Sequence, residues 1–430
     1  MESLNLKRFF PYVIFGILCL GFTLDLSLFH HIPHGYEKTA MDLTLYGHFH
    51  AVLNYDSPWF LKDAYQPIEL LTPKNRLQTR PGLVLVVAGL AKIVSPLHSQ
   101  IMRIFRASGG YIPKDYFIPY FLFVLMNFLI LLLSFYSYLR LVPPANGPNL
   151  VGVSLIGCLL IFNDVIKAFL LTPHTQLFNL LVPLVCLYAL QQVKDHGLFD
   201  QGRLFVLAFL VGLGVTAYAT FVLFLPAICI GLIWVIVRDK VKINLRMAGK
   251  LILVAALTVL PYLTWMFYVR QVSGSFYSME VATQKQFVWI LPLLRSNPLL
   301  ALRDLAFKFW LQVRYAAAQA VVLPIILGVV TIVTLDQQHG LVDRLKHWKQ
   351  FPLAALMVSA LFLFFFAIDG EVTGRTAFPA IPPLIAGTTV VVIGMLRDAA
   401  PLRRKLGNGL IILLVLWQGW ATLSKIGPFD

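Results

Sequence analysis

The chain has 430 residues, of which 58% are hydrophobic and only 13% are charged. Its mean hydropathy is +0.77, whereas soluble domains carry about 25% charged residues. This composition predicts an integral membrane protein. A membrane-spanning helix needs about 20 apolar residues, so the apolar runs could supply roughly ten to twelve spans. A receptor with a single membrane anchor is therefore excluded.

The 35 Lys and Arg residues outnumber the 20 Asp and Glu residues, which gives a formal net charge of +15. The basic residues are dispersed along the chain, so nothing predicts the basic surface that binds nucleic acid. We expect no nucleic-acid partner, and we expect the positive charge to orient the spans. The cysteines lie in apolar runs and lack the spacing of a disulfide framework or a zinc site.

The first predicted span covers residues 9–28, and Lys7 and Arg8 before it place the N-terminus in the cytoplasm. This apolar run is too long for a signal peptide and no A-x-A cleavage site follows it, so we interpret it as a retained span. Residues 30–116 then form a first outer loop. An apolar stretch at 83–94 is short for a span and is predicted to be an interfacial helix.

The start of this loop predicts a second helix lying on the membrane, because Met41, Leu45 and Phe49 recur at helical spacing. Asp42 and Tyr46 would then lie one turn apart on its flank, where Tyr46 is a predicted substrate contact. An acid at the water–lipid boundary is placed to act as a general base. The alternative is that Asp42 is an N-terminal helix residue favoured by the helix dipole.

Basic clusters at 238–250 and 397–405 occupy short loops that belong on the cytoplasmic side. A second outer loop, 270–314, contains two more predicted interfacial helices, over 284–294 and 299–313. We therefore predict an all-α polytopic membrane protein with about eleven transmembrane helices, in which residues 1–430 form one domain. The later spans are predicted at 117–139, 150–171, 175–192, 204–219, 220–237, 249–268, 315–334, 353–368, 376–396 and 408–423.

The first outer loop carries Met-Asp-Leu-Thr-Leu-Tyr at 41–46, Asp-Ser-Pro at 56–58 and Arg-Pro-Gly-Leu at 80–83. Thr-Pro-His at 172–174 leads into a later span, and Gly-Arg-Thr-Ala-Phe-Pro-Ala-Ile-Pro at 374–382 forms a late outer turn. In their order and topology these motifs resemble the GT-C superfamily of polytopic membrane glycosyltransferases. Members of that superfamily use polyprenyl-phosphate-linked sugars, and an Asp soon after the first span belongs to their catalytic loop.

The resemblance implies that Asp42 is the base that deprotonates an acceptor hydroxyl while polyprenyl phosphate departs. Negative charge grows on that phosphate in the transition state and needs cationic partners. Arg375, on a short outer turn, is the first predicted phosphate contact. Arg270 and Arg314, at the outer ends of their spans, come next, followed by Arg80. For these last three, an interfacial snorkelling anchor is the competing interpretation.

Many GT-C relatives carry a second acid where this chain has His174. The imidazole is predicted either to hydrogen-bond substrate or accept a proton near pH 7, or to cap its span structurally. Asp369 and Glu371 lie beside Arg375 and are predicted either to pair with it or to hold a divalent cation together with Asp42. The cofactor is therefore open, with a divalent cation as the candidate.

The function implied by the resemblance is a glycosyltransferase at the outer, periplasmic face of a bacterial inner membrane. Its partners would be the membrane, a polyprenyl-phosphate-sugar donor and a glycan, lipid or protein acceptor. The alternatives are a transporter or flippase of lipid-linked sugars, or an enzyme of the O-antigen ligase or polymerase type. Sequence motifs of ATP hydrolysis, HExxH metalloproteases and GxSxG serine hydrolases do not occur.

Overall fold

A computed structural model describes residues 6–29, 40–46, 49–97, 99–100, 114–142, 149–196, 201–240, 244–334, 350–397 and 399–425. Helices dominate these residues, and the strands form one antiparallel hairpin near the N-terminus. In chain order the elements are α1 (Leu6–Phe29), β1 (Ala40–Tyr46), β2 (Phe49–Asn54), α2 (Ser57–Tyr65), α3 (Pro81–Val94), α4 (Phe117–Leu141), α5 (Asn149–Cys158), α6 (Asp164–Phe169), α7 (Phe178–His196), α8 (Gln201–Ala217), α9 (Phe224–Asp239), α10 (Leu245–Ser273), α11 (Met279–Ala282), α12 (Ile290–Ser296), α13 (Pro298–Gln319), α14 (Val322–Thr334), α15 (Gln350–Asp369), α16 (Gly374–Ala377), α17 (Ile381–Arg397) and α18 (Pro401–Ser424).

The helices of a multi-pass membrane protein are present, as the composition predicts. In the described part of the chain, 7 helical segments are long and apolar enough to cross a bilayer. An eighth is possible if α13 and α14, which meet at a bend of 57°, count as one span. Helix length and hydropathy therefore confirm the class of protein, while the count of about eleven spans stays a prediction.

Two predicted spans are divided in the structure. The span at 150–171 breaks between α5 and α6, because the Asn163 side chain accepts a hydrogen bond from the Val165 N–H at 2.8 Å and starts a new helix. The span at 315–334 breaks between α13 and α14. Pro324 explains this break, since its ring would clash with the carbonyl of Ala320 in a continuous helix.

The helix predicted to begin near Met41 is wrong: the chain forms the hairpin of β1 and β2 instead. Its apolar residues also alternate, and Leu43, Ala51 and Leu53 are each at most 1% exposed. Because a strand places alternate residues on one face, the hairpin buries this set, with β2 packed against α1. Asp42 pairs in register with Val52, so the predicted helical spacing of Asp42 and Tyr46 does not exist.

The helices predicted over 284–294 and 299–313 are present in part, and their interfacial position stays a prediction. Residues 299–313 lie within α13, whose N-terminus is capped by the side chain of Asn297. The helix expected over 284–294 begins only at Ile290. Lys285 and Phe287 both adopt left-handed backbone conformations, each with φ 58°, and such residues do not continue a right-handed helix.

Helix α7 lies at the centre of the bundle and packs against α4, α9, α15 and α17. Near its C-terminus, Lys194 donates to the side chain of Gln350 at the start of α15, at 3.4 Å. The Arg238 guanidinium at the end of α9 donates to the Lys194 carbonyl, also at 3.4 Å. We call this the basic end of the bundle. The opposite end, where the chain enters α2, α7 and α16, holds a cavity and is called the cavity end.

Candidate functional site

A cavity of about 230 Å³ opens at the cavity end of the bundle. Segments far apart in sequence line it: the residues before α2 and α3, the entry to α7, the residues between α8 and α9, one residue of α10, the loop around α11 and the turn between α15 and α16. Its ionisable side chains are Asp56, Arg80, His174, Tyr218, Tyr262, Glu280, Asp369, Glu371 and Arg375. Such a convergence of polar groups in one cleft is the usual form of a small-molecule site.

Arg80 enters the cavity at the residue before α3 and forms an ion pair with Glu280. Glu280 also accepts hydrogen bonds from Ser278 at 3.1 Å and Thr79 at 3.4 Å. Burial alone would lower the pKa of Arg80, but Glu280 outweighs burial and holds that pKa above its ordinary value. Burial likewise opposes ionisation of Glu280, yet Arg80 holds its pKa below the ordinary value. Both groups are therefore charged at neutral pH.

Arg375 lies on a turn that is held from several sides. Lys308 donates to the Gly370 carbonyl at 2.8 Å, and the Gln312 side chain donates to the Glu371 carbonyl at 2.8 Å. Thr373 caps α16 in a reciprocal capping box. The Glu371 carboxylate accepts a hydrogen bond from the Arg375 guanidinium. These contacts fix a half-exposed cationic group at the edge of the cavity.

His174 is buried in the wall of the cavity, with only 3% of its side chain exposed. Its Nδ1 accepts a hydrogen bond from the Gln176 N–H at 3.1 Å. Burial, followed by the charges of Arg80 and Arg375, lowers the pKa of His174 well below its ordinary value. The imidazole is therefore neutral at pH 7, and its lowered pKa makes it a weak base, which disfavours its predicted role as a proton acceptor.

Asp56 immediately precedes α2, where an aspartate ordinarily caps the helix with its side chain. Here the carboxylate makes no capping hydrogen bond. It lines the cavity instead, 47% exposed, with its Oδ2 3.9 Å from His174 Nε2. The backbone N–H of Asp56 donates to Asn54 Oδ1 at 2.8 Å, which fixes the chain at this point. Asp56 is thus an anchored acid whose carboxylate faces open space.

The structure brings together three of the predicted site residues, Arg375, Arg80 and His174, around one cavity. Arg270 and Arg314 are exposed, on α10 and α13 respectively, and neither lines it. Asp42 lies on β1, and the side chains of Asp42 and Tyr46 fall outside the described part of the structure.

Two residues of the cavity were missed by sequence reasoning. Asp56 belongs to the Asp-Ser-Pro motif noted in the sequence, but the same motif is also typical of an ordinary helix N-terminus. Glu280 had none, since it lies 200 residues from its partner Arg80 along the chain. Both become visible only when the fold places them at one cavity.

The described residues contain no group of three or more His, Cys, Asp or Glu side chains that could hold a metal ion. Glu371 pairs with Arg375, which is the first of the two roles predicted for it. Comparison of the chain with protein-family models, curated proteins and solved structures finds no match.

Proposed function

We propose that this protein is a glycosyltransferase that moves a sugar from a polyprenyl-phosphate-linked donor to an acceptor hydroxyl. One observation carries the proposal: Arg80 and Arg375, from separate segments, line the same cavity as Asp56, a carboxylate that caps no helix. The cavity opens at the end of an apolar helix bundle, where the head group of a lipid donor would lie while its chain stays in the bilayer. The GT-C-like motifs contribute all three residues.

The proposed reaction uses these groups directly. The Asp56 carboxylate accepts the proton of the acceptor hydroxyl as its oxygen attacks the anomeric carbon of the donor sugar. The bond between that carbon and the phosphate oxygen breaks, and its electron pair leaves with polyprenyl phosphate. Arg375 and Arg80 stabilise the negative charge that grows on the departing phosphate. Both guanidiniums have further N–H groups beyond those that bind glutamate.

Asp56 replaces Asp42 as the first candidate for the base, and substitution of each tests the choice. We expect Asp56→Asn to fold and to bind polyprenyl phosphate but to lose sugar transfer by about 10² or more. The measurement is transfer from radiolabelled polyprenyl-phosphate sugars in membranes of the source cell that lack the native copy. Asp115→Asn, an exposed acid before α4, is the matched control and should stay near wild type.

The outcomes separate the candidates. Loss in Asp42→Asn with full transfer by Asp56→Asn would return the role to the residue predicted from the sequence. Full transfer by both variants would remove the general base altogether. If Asp56→Asn still moved lipid-linked sugar across the membrane unchanged, a transporter would replace the transferase, because transport needs no base.

We also propose that the cavity faces the periplasm of a bacterial inner membrane and that the chain crosses about eleven times. The basic end supports this orientation, because Lys194, Arg238 and Arg404 lie there and cytoplasmic loops are enriched in such residues. Eleven crossings require that α5 with α6, α7, α8 and α14 each traverse the bilayer beside the longer helices.

Labelling of single cysteines tests the orientation. A membrane-impermeant maleimide should label Thr283→Cys, exposed in the loop beside the cavity, in intact cells. Lys240→Cys, exposed at the basic end, should be labelled only after permeabilisation. The native Cys19, Cys158 and Cys186 are buried, so their background is low. The reverse pattern would place the cavity in the cytoplasm and contradict the proposed donor.

A further inference from the structure

We infer that His174 is a positioning residue whose Nε2–H group holds the Asp56 carboxylate in the cavity. The inference rests on the proposed function, in which Asp56 is the base. It differs from both sequence predictions for His174, because the imidazole neither accepts the substrate proton nor serves only as the cap of a span.

The hydrogen bonds of the ring define its tautomer. Nδ1 accepts the Gln176 N–H at 3.1 Å and therefore carries no proton of its own. A neutral imidazole has one N–H, which must then be at Nε2. That nitrogen is 3.9 Å from Asp56 Oδ2. The nearest carboxylate oxygen is thus beyond hydrogen-bond distance, and a rotation of the half-exposed Asp56 side chain would bring it within reach of the Nε2–H group.

The imidazole can steer Asp56 because it is itself immobilised. Its ring lies between Phe60 and Phe169, with ring centroids 5.1 Å and 5.0 Å away. The loop that carries it is anchored at Thr172, whose carbonyl accepts a hydrogen bond from the Asn127 side chain at 2.9 Å. Phe60 belongs to α2, the helix that Asp56 precedes. His174 therefore contacts both the carboxylate and the helix that sets its position.

Local sequence favours the same orientation. A carboxylate before a helix normally turns back onto the N–H groups of the first turn. Pro58 occupies the first turn of α2 and has no N–H to offer. The Asp56 carboxylate therefore has one fewer N–H partner in its own helix, and the Nε2–H of His174 lies on its cavity side. With one oxygen held in this way, the other remains available to an acceptor hydroxyl.

Two substitutions separate positioning from packing. His174→Leu keeps an apolar side chain of similar size but removes the donor, and we expect kcat to fall about 10- to 100-fold, as for a lost hydrogen bond to a charged group. The KM for the polyprenyl-phosphate sugar should change little. His174→Gln keeps an N–H at comparable reach and should recover most of the loss. Phe135→Leu, a packing control at a buried position of α4 that does not line the cavity, should lower folding stability more than kcat.

A double-mutant cycle completes the test. In the Asp56→Asn background, His174→Leu should cause no further loss of transfer, because the two residues act through one carboxylate. Equal loss in the Leu and Gln variants, wild-type kcat in His174→Leu, or additive losses in the double variant would overturn the inference while leaving Asp56 as the base. Wild-type transfer by Asp56→Asn, or no transfer by the native protein, would overturn the proposed function and this inference together.

Discussion

Arginine side chains at the two ends of the helix bundle have different surroundings. At the basic end, Arg404 donates to the carbonyls of Leu396, Arg397 and Ala399, between 3.0 and 3.1 Å. These carbonyls lie at the C-terminus of α17, where cations stabilise a helix. At the cavity end, Arg80 and Arg375 bind carboxylates beside open space.

The partners of the arginine side chains identify the site better than the number of basic residues in a sequence segment does. At the basic end, backbone carbonyls occupy the donors of Arg404, and Arg238 donates to the adjacent Asp239 carboxylate at 2.7 Å. Arg80 and Arg375 line the cavity, and each keeps N–H groups for a ligand beyond those that bind glutamate. An arginine is therefore interpreted by its partners in the fold, and substitutions at the two ends should have unequal effects.

The largest expected effect is that of Arg375→Ala. Loss of one preorganised donor to the departing phosphate should cost about 2 to 4 kcal/mol of transition-state stabilisation, measured as kcat/KM for the polyprenyl-phosphate sugar. Arg375→Lys should recover only part of this, because an ammonium cannot reproduce the planar guanidinium fork. Arg238→Ala at the basic end is the control and should stay within a few-fold of wild type; an equal loss there would break the contrast between the ends.

A second expected effect concerns Asp63, a buried acid of α2 at the cavity end. Burial raises the pKa of Asp63 to about 6, although Asn75 donates to its Oδ2 at 2.9 Å. The folded protein therefore holds this proton more tightly than the unfolded chain does, so stability falls as pH rises from about 4 to about 6. The cost reaches about 3 kcal/mol above pH 6.

Asp63→Asn removes this ionisation and should raise the unfolding midpoint at pH 7 relative to wild type. The two proteins should approach each other as the pH falls below about 4, because Asp63 then becomes protonated in the unfolded as well as the folded state. Thermal unfolding in detergent at several pH values measures the difference. A gap between wild type and Asp63→Asn that does not change with pH would contradict the assignment of the titration to this residue.

A smaller loss of stability is expected for Gly370→Ala in the turn that holds Arg375. Gly370 has φ +96°, and a Cβ added there would lie 2.5 Å from the Trp289 ring. We expect a loss of about 1 to 3 kcal/mol, together with weaker donor use, because the turn must shift. Gly328→Ala in α14 meets nothing within 4 Å and should be neutral in thermal unfolding. Normal use of the polyprenyl-phosphate sugar by Gly370→Ala would show that the function of Arg375 does not depend on the conformation of this turn.

The smallest expected effect compares Arg80 with Arg270, which the sequence ranks above it. Arg80→Lys should weaken polyprenyl-phosphate binding about 5- to 10-fold, because one ammonium replaces the guanidinium while Glu280 stays paired. Arg270→Lys, at an exposed site on α10, should change binding less than two-fold. Binding is measured as the thermal stabilisation by polyprenyl phosphate, with polyprenol as the control lacking the phosphate. The opposite ranking would place the phosphate outside the cavity.

The sequence by itself determined the membrane class and most of the helices. Hydropathy depends on local composition, so apolar runs such as those in α4, α10 and α15 were predictable without knowledge of their neighbours. The motifs around Arg80, His174 and Arg375 also marked segments that the fold brings to one cavity. In these cases a short stretch of chain carries the whole signal.

Only the tertiary structure decided the rest, because the deciding contacts join distant segments. The residues near Met41 fit a helix and a strand equally well until burial against α1 selects the hairpin. Asp56 reads as a helix cap until His174 is seen 3.9 Å away. Glu280 has no local pattern, and its ion pair with Arg80 spans 200 residues. Side-chain pairing across such separations depends on how the helices pack, which no local periodicity encodes.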